Sequence, residues 1–154
     1  MERSPDKLSC PTFSADPDPV EFVVPGAPVA FARMRPIPRP GASGKRFYKP
    51  DAQRQYALSV GWMAKRAMEG RPWLEGPLRL TIIASWLHPA GLSQSAAVIG
   101  VPHEGKPDWD NVGKLVSDAL NKIVWRDDAQ VADARVIKRW RGEAGLHVKV
   151  ERIK

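Results

Sequence analysis

One cysteine, three scattered histidines and no long apolar run set the first limits on this chain of 154 residues. With Cys10 alone, neither a disulfide framework nor a multi-thiolate zinc centre can form, and Cys10 reads as a bystander in a polar leader. Redox chemistry is thereby disfavoured. No stretch approaches the roughly 18 to 20 apolar residues of a membrane span. The N-terminus, MERSPDKLSC, lacks the apolar segment of a secretory signal, so a cytoplasmic protein without a membrane partner is expected. His88, His103 and His147 are too dispersed to suggest a ligand set, and nothing implies an organic cofactor. There is no internal repeat.

Acids are also scarce in one place. Residues 22 to 66 carry nine Lys or Arg against Asp51 alone, a net of +8. Residues 104 to 133 reverse this with seven acids and four bases, a net of −3, and the last 21 residues return to +5. The whole chain is at +7, with 43% hydrophobic and 27% charged residues, which is ordinary for a globular protein of one domain. A basic chain with one concentrated acidic block is either a polyanion-binding surface built around a cation site or a domain with patchy solvated charge.

Residues 1 to 19 contain four prolines and no periodicity and read as a flexible leader, leaving 20 to 154 as the folded domain. Glu21 to Val24 reads as a short strand ended by Pro25-Gly26, and the Pro-, Gly- and Arg-rich stretch after it as a long basic loop. A helix is expected from Asp51 to about Glu69, stopped by Gly70-Arg71-Pro72. Leu78 to Leu87 is β-branched and aromatic enough for a buried strand, and a loop follows it. Val112, Leu115, Val116, Ala119, Leu120 and Ile123 recur at helical spacing, so Asn111 to Ile123 is the clearest amphipathic helix, with Asp110 as its N-cap. Gln130 to Arg141 and Leu146 to Arg152 read as a hairpin. The expected fold is α+β, a mixed or mostly antiparallel sheet packed with two main helices. Trp62, Trp73, Trp86 and Trp125 are expected in the core, and burial is expected of Trp109 too.

Asp108 and Asp110 flank Trp109 before the second helix, and Asp127-Asp128 follow its end. A strand from elsewhere in the sheet could bring the two pairs together. Carboxylates suit a hard divalent cation better than histidines do. The spacing leaves a second reading open, in which Asp110 only caps a helix and Asp127-Asp128 only make a turn. Lys114 lies one helical turn beyond Asp110 and Asp118 one turn beyond Lys114. Lys114 and Asp118 are therefore either a surface ion pair or, for the lysine, a group able to stabilise charge on a phosphate oxygen.

The segment KPDWDNVGKLVSDALNKIVWRDDAQVADARVIKRW, residues 106 to 140, resembles the RusA family of Holliday-junction resolvases, small Mg²⁺-dependent endodeoxyribonucleases of bacteria and their phages. The pattern is K-P-D-x-D-N-x-x-K, then D-A-L, then D-D-x-Q-V and a downstream lysine. The resemblance implies that Asp108, Asp110 and Asp128 are the metal-binding catalytic carboxylates, with Asp127 a lower-ranked ligand, and that Lys114 is the catalytic lysine. Asn111 and Asp118 match as supporting residues. The implied ion is Mg²⁺, with Mn²⁺ as an alternative, and the implied reaction is phosphodiester hydrolysis yielding 5′-phosphates in DNA recombination and repair. The leader and the long loop from Pro36 to Lys49 depart from the pattern.

The implied partner is branched DNA, a four-way junction. Arg33, Arg35, Arg39, Lys45, Arg46 and Lys49 are the candidate nucleic-acid contacts, since such groups release counterions without reading sequence. Phe31, Phe47 and Tyr48 either stack on exposed bases or pack the loop on the sheet. Cutting a two-fold-symmetric junction in opposed strands calls for two sites, and one short domain supplies one, so a homodimer is expected. Two alternatives stand beside this reading: a junction-binding module without cleavage, and a nuclease acting on forks, flaps or RNA.

Overall fold

Apolar residues alternate with polar ones in three of the segments expected as strands, and that period of two gives each strand one apolar face. In the computed structural model these are β1 (Val20–Pro25), β4 (Leu78–Leu87) and β7 (Gly145–Arg152). Their inward rows are Val20, Phe22 and Val24; Leu78, Leu80, Ile82 and Ala84; and Leu146, Val148 and Val150, all buried in one core. The structure describes residues 19–32, 35–37, 46–48 and 51–154, with backbone alone for the two three-residue segments. The leader up to residue 18 and four of the candidate DNA contacts, Arg33, Arg39, Lys45 and Lys49, lie outside the described residues.

The remaining elements are β2 (Arg35–Ile37), β3 (Arg46–Tyr48), α1 (Asp51–Met68), α2 (Gln94–Ile99), β5 (Val101–Pro102), α3 (Trp109–Leu120) and β6 (Val131–Arg141). Five strands form one mixed sheet in the order β1-β7-β4-β6-β5. β4 and β6 are parallel, and the other pairs are antiparallel. The expected α+β domain is therefore present. The parallel pair decides where the acidic motif can sit, because a parallel connection needs a crossover. Here the chain leaves the end of β4, passes through α2, β5 and α3, and returns to the start of β6.

Both long helices cover the same apolar face of the sheet. α1 buries Val60, Ala64 and Met68, and α3 buries Val112, Leu115, Val116 and Leu120. The helices touch where a Cβ on Gly61 would stand 3.5 Å from Ala119 O, with Ile123 Cδ1 of the following turn at 3.2 Å, and α3 meets β6 where a Cβ on Gly113 would stand 3.1 Å from Val136 Cγ2. On the other face of the sheet an ion-pair ladder crosses three strands. Arg79 bonds Asp133 at 2.6 Å and reaches Glu151 at 3.6 Å, while Arg135 and Lys149 close the two ends at 3.0 and 2.9 Å.

Several expectations are corrected. The hairpin expected of Gln130 to Arg141 with Leu146 to Arg152 does not form, because β4 lies between β6 and β7 and bonds to both. α3 begins two residues early and ends at Leu120, because Asn121 turns extended and Lys122 adopts φ 65°; Ile123 keeps its helical spacing but reaches the core from a turn. Asp108, with extended backbone, holds the N-cap position, and Asp110 stands in the first turn. The stretch after β4, read as loop, contains α2, whose first turn is capped by Ser93 Oγ accepting from Ala96 N, and then β5. Within the basic loop, β2 and β3 pair antiparallel. Trp125 is fully buried and Trp86 packs on the core, but Trp62, Trp73 and Trp109 are exposed, at 58, 45 and 63%. Trp62 falls on the opposite side of α1 from the Val60, Ala64, Met68 stripe, and Trp73 uses its indole N–H to bond Lys122 O at 3.2 Å. Trp109 shares the helical period of Val112 and Val116 but is the first residue of α3 and remains exposed at that end.

Ile82→Ala, in the strand flanked by β6 and β7, should lower unfolding free energy by about 2–5 kcal/mol, measured by the denaturation midpoint at constant m. A second outcome concerns the ladder. Hydrogen bonds from Arg135 and then Arg79 hold the Asp133 carboxyl below its ordinary value. Its contribution to stability is therefore complete above that ordinary value and lost as pH falls through the lower folded one. Asp133→Asn should reduce Tm at pH 7, and the gap to the parent should close as pH drops below about 4.

Candidate active site

The acidic motif is presented by α3 and its two flanking turns. Asp108, Trp109 and Asp110 are all exposed at the N-terminal end. Both Asp108 oxygens lie 2.7 Å from the Lys106 ammonium, so this carboxylate already brackets a cation from two sides. An oxygen-only donor held in that way fits a hard divalent ion such as Mg²⁺. A negative side chain at a helix N-terminus is also favoured by the helix dipole.

Lys114 follows on the exposed side of α3, with its ammonium 5.3 Å from the centre of the Phe31 ring. Phe31 reaches this place through its backbone, which donates to Asn111 O at 2.9 Å, while Ala32 N donates to the buried Gln53 Oε1 at 3.0 Å. The segment preceding Arg33 is thus tied between α1 and the first turn of α3. Trp86 Nε1 fastens the same segment to β4 through Pro28 O at 3.2 Å. Of the two readings for Phe31, packing on the fold is the one observed. Arg35 and Arg46 lie on the paired β2 and β3 strands, opposite Tyr48 and Ile37. Asp118 is exposed further along α3.

Asp127 and Asp128 stand beyond the other end of the helix. Asp127 Oδ1 accepts from Ala129 N at 2.9 Å, and the Gln130 side chain accepts from the backbone N–H groups of Arg126 and Asp127. That reciprocal cap, followed by the charge of Lys122, holds the Asp127 carboxyl below its usual range. Asp128 begins the short 3-10 turn Asp128–Gln130 and is exposed. Gln130 Nε2 in turn bonds Leu74 O at 3.0 Å, so this corner is fixed to the segment leading into β4.

The structure gathers Asp108, Asp110, Asn111 and Lys114 at one end and Asp127 and Asp128 at the other. The two groups belong to opposite ends of α3, whose twelve residues make it about 18 Å long. Among the described residues, no three His, Cys, Asp or Glu side chains of one chain converge to hold a metal ion.

Comparison with known proteins places the chain in a family. A family model described as endodeoxyribonuclease RusA matches residues 25–151. The chain belongs to the RusA family of endodeoxyribonucleases. That membership supports a Holliday-junction endonuclease that engages branched DNA. A relative in Bacillus subtilis (strain 168), the uncharacterized protein YqaN, is 31% identical over 144 residues, covering 88% of this chain and 98% of its own length. No helix among the described residues is long and apolar enough to cross a membrane.

Three neighbours of the RusA motif escaped sequence reasoning. Lys106 and Lys138 belong to the quoted segment, but spacing gives no sign that one grips Asp108 and the other faces inward. His103 was assigned no role, yet it is buried against Trp86 and Trp140. The division of labour between the paired aspartates is testable. Asp127→Ala should lower Tm by removing the cap, whereas Asp127→Asn, which keeps an acceptor for Ala129 N–H, should unfold near the parent temperature.

Proposed function

We propose that the protein is a Mg²⁺-dependent, structure-selective endodeoxyribonuclease that resolves Holliday junctions as a homodimer, in the cytoplasm of a bacterial or phage-infected cell, during recombination and repair. The observation that carries this reading is the presentation of Asp108, Asp110 and Lys114 together on the exposed N-terminal end of α3, beside the segment that leads into the basic β2–β3 region.

Asp108, Asp110 and Asp128 would hold Mg²⁺ or Mn²⁺, with Asp127 in a lesser role because its carboxylate already caps a turn. The bound ion would supply charge neutralisation at the phosphate and acidify water. In the reaction a water oxygen adds to phosphorus in line and the bond to O3′ breaks. The water gives up a proton, O3′ gains one, and the products carry 5′-phosphate and 3′-hydroxyl ends. Lys114 would stabilise the charge on the phosphate oxygens. Asn111 and Asp118 would support the helix face that carries it. Arg33, Arg35, Arg39, Lys45, Arg46 and Lys49 would contact phosphates on the arms of the junction.

The distance along α3 gives the dimer a chemical reason. Carboxylates at opposite ends of a helix about 18 Å long cannot share an ion. Two copies related by a two-fold axis, with their α3 helices running in opposite directions, would set Asp108 and Asp110 of one beside Asp128 of the other. The same axis would supply two sites for the two opposed strands of a junction.

Asp110→Asn should reduce Mg²⁺-dependent cleavage of a synthetic four-way junction by about 10²–10³-fold while binding in Ca²⁺ is kept; cleavage at the parent rate would overturn the assignment. Comparing junction, fork, flap, duplex and RNA under the same conditions tests the substrate, and junction binding without products would favour a non-cleaving module. Mixing an Asp110→Asn chain with an Asp128→Asn chain should restore activity through heterodimers, in which one of the two shared sites is intact; sites built within single chains would stay inactive. Arg33→Ala with Arg35→Ala should weaken binding to all DNA forms and reduce the salt slope by about 2.

A further inference from the structure

Lys138 is a cation in an apolar position. It lies on β6 opposite the fully buried Ala84 of β4, in the inward row with Val136 and Trp140. Lys138 is half-buried there, and acceptors for its N–H groups offset the loss of water. Its ammonium donates to Pro107 O at 2.7 Å and to Gly105 O. Both acceptors belong to the turn joining β5 to α3, and Pro107 immediately precedes Asp108. Two of its three donors are thereby used.

The strand grips the same turn by a second route. His103 N donates to Lys138 O at 3.1 Å. The His103 ring stacks on Trp140 with centroids 3.8 Å apart, and Trp86 lies 4.7 Å away on a tilted plane. The imidazole is 5% exposed and its Nδ1 is buried with no hydrogen-bond partner, so it is held by packing rather than by hydrogen bonds at that atom. Gly105 leaves room for it, since a Cβ there would come within 3.3 Å of His103 Cε1. Residues 104 to 106, by contrast, are exposed, so little besides this grip fixes their path.

We propose that Lys138 and His103 clip the turn 103–108 to the central sheet and thereby set the pose of Asp108, making Lys138 a positioning residue for cation binding. This rests on the reading of Asp108 as a metal ligand. A carboxylate ligand has to be held within about 0.5 Å of its productive place. Exposed turns do not hold one that closely by themselves, whereas a bonded ammonium rooted in a strand does. The competing role, contact with a DNA phosphate, is disfavoured because two of the three donors already serve backbone carbonyls.

The test uses the full chain with Lys138→Met, which keeps the stem and loses the donors, and Lys138→Arg, which keeps donors and charge. Two measurements need no cleavage: amide hydrogen exchange of residues 103–108, and binding of Mn²⁺ alone followed by its electron paramagnetic resonance. Lys138→Met should speed exchange in the turn while β4 and β7 stay protected, and should weaken Mn²⁺ about 10–100-fold. Junction affinity without metal, and its salt slope, should match the parent, and Lys138→Arg should recover most of both losses. Parent-like exchange and Mn²⁺ affinity in Lys138→Met would overturn the clip. So would a junction affinity that fell with a salt slope smaller by about 1, the mark of a phosphate contact. If Lys138→Met does not fold, Lys138→Gln, with two N–H donors on a shorter stem, takes its place; loss of folding there as well would make the lysine part of the core and end the proposal. A parent protein that bound no Mn²⁺ would refute the metal reading, while the exchange comparison would still decide the clip.

Discussion

The parallel pairing of β4 with β6 is the constraint on which the rest of this molecule depends. Parallel neighbours cannot be joined by a tight turn, so the chain must travel back across the sheet before β6 can begin. That return is made by α3, whose apolar stripe lies over the sheet and whose polar residues remain outside. The helix is held between α1, through the small side of Gly61, and β6, through the absent side chain of Gly113. Its ends are therefore not free to move, and those ends carry the acidic motif.

From this arrangement the electrostatics follow. The acidic block that stands out in the sequence is divided by the crossover into two exposed groups. At the first, Asp108 is neutralised within the chain by Lys106, and Lys114 rests against Phe31. At the second, Asp127 is drawn into a turn that ties β6 to the segment leading into β4, which leaves Asp128 beside it at the surface. Two identical side chains thus have different surroundings: Asp127 completes a local cap, and Asp128 begins the turn at the surface. The opposite side of the sheet takes up Asp133 and Glu151 in an ion-pair ladder, which removes them from consideration as ligands.

Much of the fold was legible in advance because its elements follow simple periods. β4 has the expected limits, α1 ends one residue from the expected place, and the alternation in β7 predicts the buried row Leu146, Val148, Val150. The failures have physical causes. α2 is only six residues long and buries none of them, so it leaves no periodic trace. The size of the indole places Trp62, Trp73 and Trp109 inside, but Trp62 falls off the apolar stripe of α1, Trp73 lies in the connection after that helix, and Trp109 stands at the very start of α3.

The candidate site was legible as chemistry and illegible as geometry. Spacing left a cap and a turn as a second reading of Asp110 and Asp127-Asp128, and it was the resemblance to the RusA family that singled out Asp108, Asp110, Lys114 and Asp128. The amphipathic spacing of Val112 to Leu120 likewise determined that a helix lies between the two acidic pairs. Only the tertiary structure decided that the helix holds those pairs apart, that Lys138 turns inward to grip the turn before Asp108, and that His103 is enclosed by Trp86 and Trp140. Each of these depends on contacts between residues distant along the chain. Such contacts are set by which strands become neighbours, and no local pattern records that choice.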